Sequence, residues 1–141
     1  MSDRRPLAAP AHSGIDPAEA RRLVYRFVRA LCCRLTKGGN SDADQRACFR
    51  LARRLVAQDG TLTDRFRYTL GLDRVVDPDE SNEYVVANGL AVLTLDVYLQ
   101  LRKLNDTGDV EAARREIEKV VKNWSDLIAG IPGAIRRPPG P

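Results

Sequence analysis

Seven arginines in two short runs are the residues whose type and spacing could do chemistry. One run reads Arg22-Leu23-Val24-Tyr25-Arg26-Phe27-Val28-Arg29; the other reads Arg46-Ala47-Cys48-Phe49-Arg50-Leu51-Ala52-Arg53, followed by Arg54. Both follow Arg-x-x-aromatic-Arg-x-x-Arg, 24 positions apart. On a helix, spacing of i, i+4 and i+7 gathers three side chains within roughly 60° of circumference and spreads them over about 10 Å of rise. A guanidinium keeps its charge and offers a planar fork that matches phosphate or carboxylate oxygens. Three along one edge can therefore meet successive phosphates of a nucleic-acid backbone. Tyr25 and Phe49, on the shoulders of the stripes, could support an unstacked base or pack on a guanidinium. Such contacts position a partner without reading its sequence. Arg65 and Arg67, further along, add to the basic total and are counted with the other seven as candidate nucleic-acid-binding residues.

Two other readings compete. The stripes could be the solvated outer faces of two bundle helices, or a basic face for an acidic protein partner. No acid is interleaved within either stripe, whereas acids alternate with bases towards the C-terminus, and this counts against an ordinary solvated face. The net charge of +4 conceals an asymmetry. Residues 1–76 carry 15 Lys/Arg against 8 Asp/Glu, and residues 77–141 carry 8 against 11.

Catalytic chemistry has little to work with. The single histidine, His12, lies in a Pro/Gly-containing N-terminal stretch, so no Ser/His/Asp or Cys/His arrangement can assemble in the fold. Neither HExxH nor Glu-x-x-His occurs, nor a phosphate-cradling glycine loop, and no axial haem ligand is at hand. Asp96 is the one acid expected to be partly buried, as a solvent-edge or salt-bridged group. Cys32, Cys33 and Cys48 are odd in number and have no zinc-ligand spacing, which fits reduced thiols in a cytoplasmic protein. Cys33 is expected on the arginine side of its helix. No catalytic residue, metal or cofactor is expected.

The elements that must position the arginines are helices. Asp16-Pro17-Ala18-Glu19 is a helix start, with an acceptor to cap free N–H groups and Pro at the first helical position. Ala20, Leu23, Val24, Phe27, Val28, Leu31 and Leu35 then form a core face, and Lys37-Gly38-Gly39 stops the helix. A second helix runs from an Asn40/Ser41/Asp42 cap region to Gln58, with Cys48, Leu51, Ala52 and Leu55 inward. A short helix follows, begun by Thr63, ended near Gly71 and anchored by Phe66, Tyr68, Leu70 and Leu72. Asp77-Pro78-Asp79-Glu80 announces a fourth helix to Leu104, apolar round most of its circumference except for a strip of Asn88, Asp96, Gln100 and Lys103. Such a helix belongs inside a bundle, and Asp96 argues against a membrane span. Asp109 caps a last helix with core positions Val110, Ala113, Ile117, Val120, Val121, Trp124, Leu127 and Ile128. Glu111–Arg115 and Glu118–Lys122 are possible i,i+4 pairs on it, and Gly130 with Pro132 ends it.

No alternating strand pattern appears. The expectation is an all-α, single-domain antiparallel bundle of four main helices plus a short one over residues 16–130. Residues 1–15 and the Pro/Gly-rich 131–141 are expected to be disordered tails. In size, all-α architecture and Arg-striped helices the chain resembles the small helical subunit of multi-subunit CRISPR effector complexes. That resemblance implies a non-catalytic subunit that lines up with other protein subunits and stabilises RNA or DNA strands by charge. It implies phosphate contacts at Arg22, Arg26, Arg29, Arg46, Arg50, Arg53 and Arg54. The alternative is a protein–protein adaptor or immunity-type module, anchored by Phe49 or the last helix. A weaker idea is a ligand pocket near Asp96 and Tyr98.

Overall fold

The computed structural model describes residues 15–36, 41–71 and 81–131, and five helices account for nearly all of them. They are α1 (Pro17–Thr36), α2 (Ser41–Gln58), α3 (Leu62–Leu70), α4 (Asn82–Thr107) and α5 (Val110–Ala129). Among the described residues there is no strand, so the protein is an all-α bundle. Of the expected tails 1–15 and 131–141, residues 1–14 and 132–141 lie outside the described residues, as do the Gly38-Gly39 stop and the Asp77-Pro78 start, whereas Ile15, assigned to the N-terminal tail, is buried in the core.

Local chemistry explains the boundaries. The Asp16 carboxylate accepts from the backbone N–H groups of Ala18 (2.9 Å) and Glu19 (3.2 Å), and Pro17 occupies the first helical position. Asp109 caps α5 in the same way through Ala112 N (3.0 Å). At the other end of α5, Gly130 adopts φ +78°, and Ile131 N donates to Asp126 O at 2.9 Å, the closing bond of a Schellman motif. The described start of α4 is set by Ser81, whose hydroxyl accepts from Tyr84 N at 3.2 Å.

α4 is the one helix with substantial contacts to all four others. Its buried side chains Val85, Val86, Leu90, Leu93 and Val97 join Leu23, Val24, Phe27 and Leu31 of α1 and Leu51 and Leu55 of α2 in one core. Phe66 of α3 and Trp124 of α5 complete it, with ring centroids 6.0 Å apart, edge to face. Phe66 lies directly over Gly89, where the missing side chain lets α3 approach α4.

Several expectations are corrected. α4 is not enclosed all round: Ala91, Val92, Leu95 (57% exposed) and Leu99 face solvent on the arc between α2 and α5. Too few helices surround it to cover that arc. By length and composition alone α4 could cross a membrane, and 44% of its most apolar window is buried by the other helices. Tyr68 and Val110, expected in the core, are exposed. On α5, Glu111 pairs with Arg114 (3.8 Å) rather than Arg115, and Lys122 with Asp126 (2.8 Å) rather than Glu118, while Glu116 pairs with Lys119 (2.9 Å).

Candidate functional site

α1 buries Leu23, Val24, Phe27 and Val28 against α4 and α5, and the helical period then turns Arg22, Arg26 and Arg29 outward. α2 buries Cys48, Leu51, Ala52 and Leu55 mainly against α4, which leaves Arg46, Arg50, Arg53 and Arg54 exposed. Both stripes thus lie on the outside. Arg22 is partly spent, because it forms a surface ion pair with Glu19 one turn earlier. Arg26, Arg29, Arg46, Arg50, Arg53 and Arg54 make no ion pair with another described residue.

The two stripes meet through Arg26 of α1, not through Arg22 or Arg29. A groove of about 390 Å³ runs between α1 and α2, floored by Leu23, Phe27 and Leu51 and edged by Arg26, Arg50 and Arg54. Round the outer side of α2, Arg46, Arg50 and Arg53 share a second surface hollow with Gln45, Phe49 and Asp42. Arg50 belongs to both. The arrangement is a ribbon of guanidiniums crossing α2 towards α1, with Asp42 at its edge.

Arg65 is a correction. It is only 3% exposed, and its guanidinium is consumed inside the protein. Nη2 pairs with Asp59 (2.7 Å) and donates to Ile128 O (3.0 Å), Nε donates to Leu127 O (3.3 Å), and Nη1 donates to Thr61 Oγ1 (2.8 Å). It satisfies carbonyls at the C-terminus of α5 and ties α3 to that end, so it has no fork left for a phosphate. Arg67 is half-buried on α3, which contributes no residue to either hollow. Of the two aromatics, Tyr25 is exposed. Phe49 is half-covered, packed edge to face on Tyr84 with centroids 5.9 Å apart.

The residues that sequence reasoning missed are Arg34 and Asp44. Asp44 is 6% exposed at the base of a cleft of about 440 Å³ between α2 and α4. Its two oxygens accept from Arg34 Nε (2.6 Å) and from the Tyr98 hydroxyl (2.7 Å). The hydrogen bond that Tyr98 donates to Asp44, together with burial, raises the Tyr98 pKa above that of a free phenol. A signal was present, since Asp44 stands four residues before Cys48 on the inward line of α2. Tyr98, named as a possible pocket residue, does line this cleft, whereas Asp96 does not. Burial raises the Asp96 pKa more than the polar influence of the Trp124 indole lowers it. Burial likewise raises the Cys32 and Cys48 thiols, so neither is an activated thiolate. Cys33 is exposed on the arginine side of α1.

No family model matches the chain, and no curated protein or solved structure matches it either.

Proposed function

We propose that the protein is a non-catalytic, arginine-faced helical subunit that binds nucleic-acid backbone without sequence preference inside a larger nucleoprotein assembly. The resemblance to small helical subunits of CRISPR effectors belongs to this proposal. The observation that carries it is the convergence of Arg26, Arg50 and Arg54 from two helices on one groove, with no ion pair from these guanidiniums to another described residue. Unpaired charges of one sign, close together on rigid helices, are costly for a bundle and useful against a polyanion.

The test is charge reversal. Arg26→Glu with Arg50→Glu should abolish retardation of RNA or DNA at low salt and leave the helical CD spectrum and melting unchanged, because both residues are exposed. Undiminished binding by the double variant would refute the proposal.

A second reading, a protein–protein adaptor, is favoured by the uncovered stripe of Val92, Leu95 and Leu99 on α4. It replaces the anchors expected from sequence in part: Phe49 is half-exposed, but the apolar face of α5 is spent on the core. Under this reading the double Glu variant loses an acidic partner and no nucleic acid is retarded by either form.

A further inference from the structure

We infer that the cleft between α2 and α4 receives an unstacked base of a single strand whose phosphates lie on Arg46, Arg50 and Arg53. The inference rests on the backbone-binding reading above and deepens it by naming single strands as the substrate class.

The first argument is continuity. Gln45 and Phe49 line both the hollow that carries those three arginines and the α2/α4 cleft. On helix α2 they immediately precede Arg46 and Arg50 in sequence, so one nucleotide can hold its phosphate on the arginine side and its base in the cleft. The second is shape. On α4, Ala87 and Ala91 are small residues one turn apart facing α2, and they leave a space of about 440 Å³, inside the usual range for ligand clefts. The rim is aromatic. Phe49 and Tyr84 each expose about two-fifths of their surface there, held edge to face, and a base can stack on either ring.

The third argument is charge and hydrogen bonding. The one carboxylate in the cleft, Asp44, is buried and compensated by Arg34 and Tyr98, so the end wall does not repel a polyanion. Asn88 spends one N–H on Tyr84 O (2.8 Å) and keeps its carbonyl oxygen for a base edge, and the Gln45 amide is exposed. These groups offer donors and acceptors without a fixed pattern, which suits tolerance of any base. Asp42 at the edge of the arginine hollow sets the limit of the phosphate track. In a duplex the bases are paired and stacked, so the cleft stays empty and only the phosphate contacts remain.

The experiment compares three fluorescently labelled probes of about 16 nucleotides, the upper site size of a small single-strand binder. They are oligo-dT, the same backbone with abasic residues, and a duplex. Wild type should bind oligo-dT at least about tenfold more tightly than the abasic strand, since stacking of one base is worth about that much. Ala91→Leu fills the cleft at an exposed helical position, and Phe49→Ala removes the platform. Each should bring oligo-dT down to the abasic affinity and leave abasic binding and its salt dependence unchanged. If Ala91→Leu loses its helical CD signal, the oligo-dT to abasic ratio of wild type decides alone. Equal affinity of wild type for oligo-dT and abasic strand overturns the cleft inference and leaves the phosphate reading standing. Failure to bind any of the three overturns both.

Discussion

Replacing Arg65 by alanine should destabilise the protein severely. Arg65 and its partner Asp59 are both almost fully buried, at 4% and 7% side-chain exposure. Removing the guanidinium takes the counter-charge from the buried Asp59 carboxylate, while Thr61 still donates to it through its N–H (2.9 Å) and its hydroxyl (2.8 Å). Breaking a buried pair from one side costs about 3–5 kcal/mol, because the remaining charge loses the partner that offset its desolvation. Ile128 O also loses its Arg65 donor, while Leu127 O keeps Gly130 N at 3.1 Å. A total near 4 kcal/mol is a large share of the roughly 5–15 kcal/mol available to a domain, and corresponds to a drop in Tm on the order of 10–20 °C. Arg65→Met with Asp59→Asn removes both charges and should recover about half or more of that loss. Urea titration of the two single variants and the double variant measures the coupling directly. A loss below about 1 kcal/mol for Arg65→Ala, or purely additive effects, would refute the assignment of Arg65 to the frame.

Gly89→Ala drives a methyl into the Phe66 ring, with Leu70 Cδ1 3.2 Å away. Chemical denaturation should show a loss of about 1–3 kcal/mol despite alanine's better helix propensity, and a gain in stability would contradict the close approach of α3 to α4. Asp96→Asn tests a raised carboxyl pKa. Burial favours the protonated acid in the folded state, so the wild type is relatively stabilised below the ordinary aspartate pKa and loses that advantage as pH rises through the raised one. Asn should therefore gain most over wild type at neutral pH, with the difference shrinking on acidification; a difference that widens in acid would reverse the sign of the argument. Arg50→Ala, at the junction of the two hollows, should leave the thermal melt unchanged and reduce the magnitude of the single-strand salt slope by about 0.7. At 0.1 M salt that contact is worth about fivefold in affinity. An unchanged slope would place Arg50 off the phosphate path.

How far the sequence could be read depended on whether the deciding interaction was local. Asp16-Pro17 and Asp109 start helices as expected because a cap is an affair of four consecutive residues. The arginine stripes are outside for a similar reason, since the apolar residues between them fix which way each helix turns. Which apolar residues of α4 are covered is set by how many helices surround it, and a helical wheel does not contain that number. Leu95 and Leu99 look like core on the wheel and face solvent in the bundle. Arg65 is buried by its register on α3, which its contribution to the basic composition does not show. It falls on the line of Leu62, Phe66 and Thr69, all buried, while Arg67 two residues on turns away from that line. The Asp44–Arg34–Tyr98 cluster joins three helices and 64 positions of chain, and only the position of Asp44 on the inward line of α2 hinted at it.

The account turns on whether the free guanidiniums of α1 and α2 hold phosphates, and salt dependence counts them. For wild-type protein and an unstructured single strand, log Kd against log salt concentration should be linear. Three contacts along α2 alone give an affinity slope of about −2, and all seven arginines of the two stripes give about −5. A slope within that range, the same for strands of different sequence, is the predicted result. A slope near zero, or no binding at low salt, would contradict it.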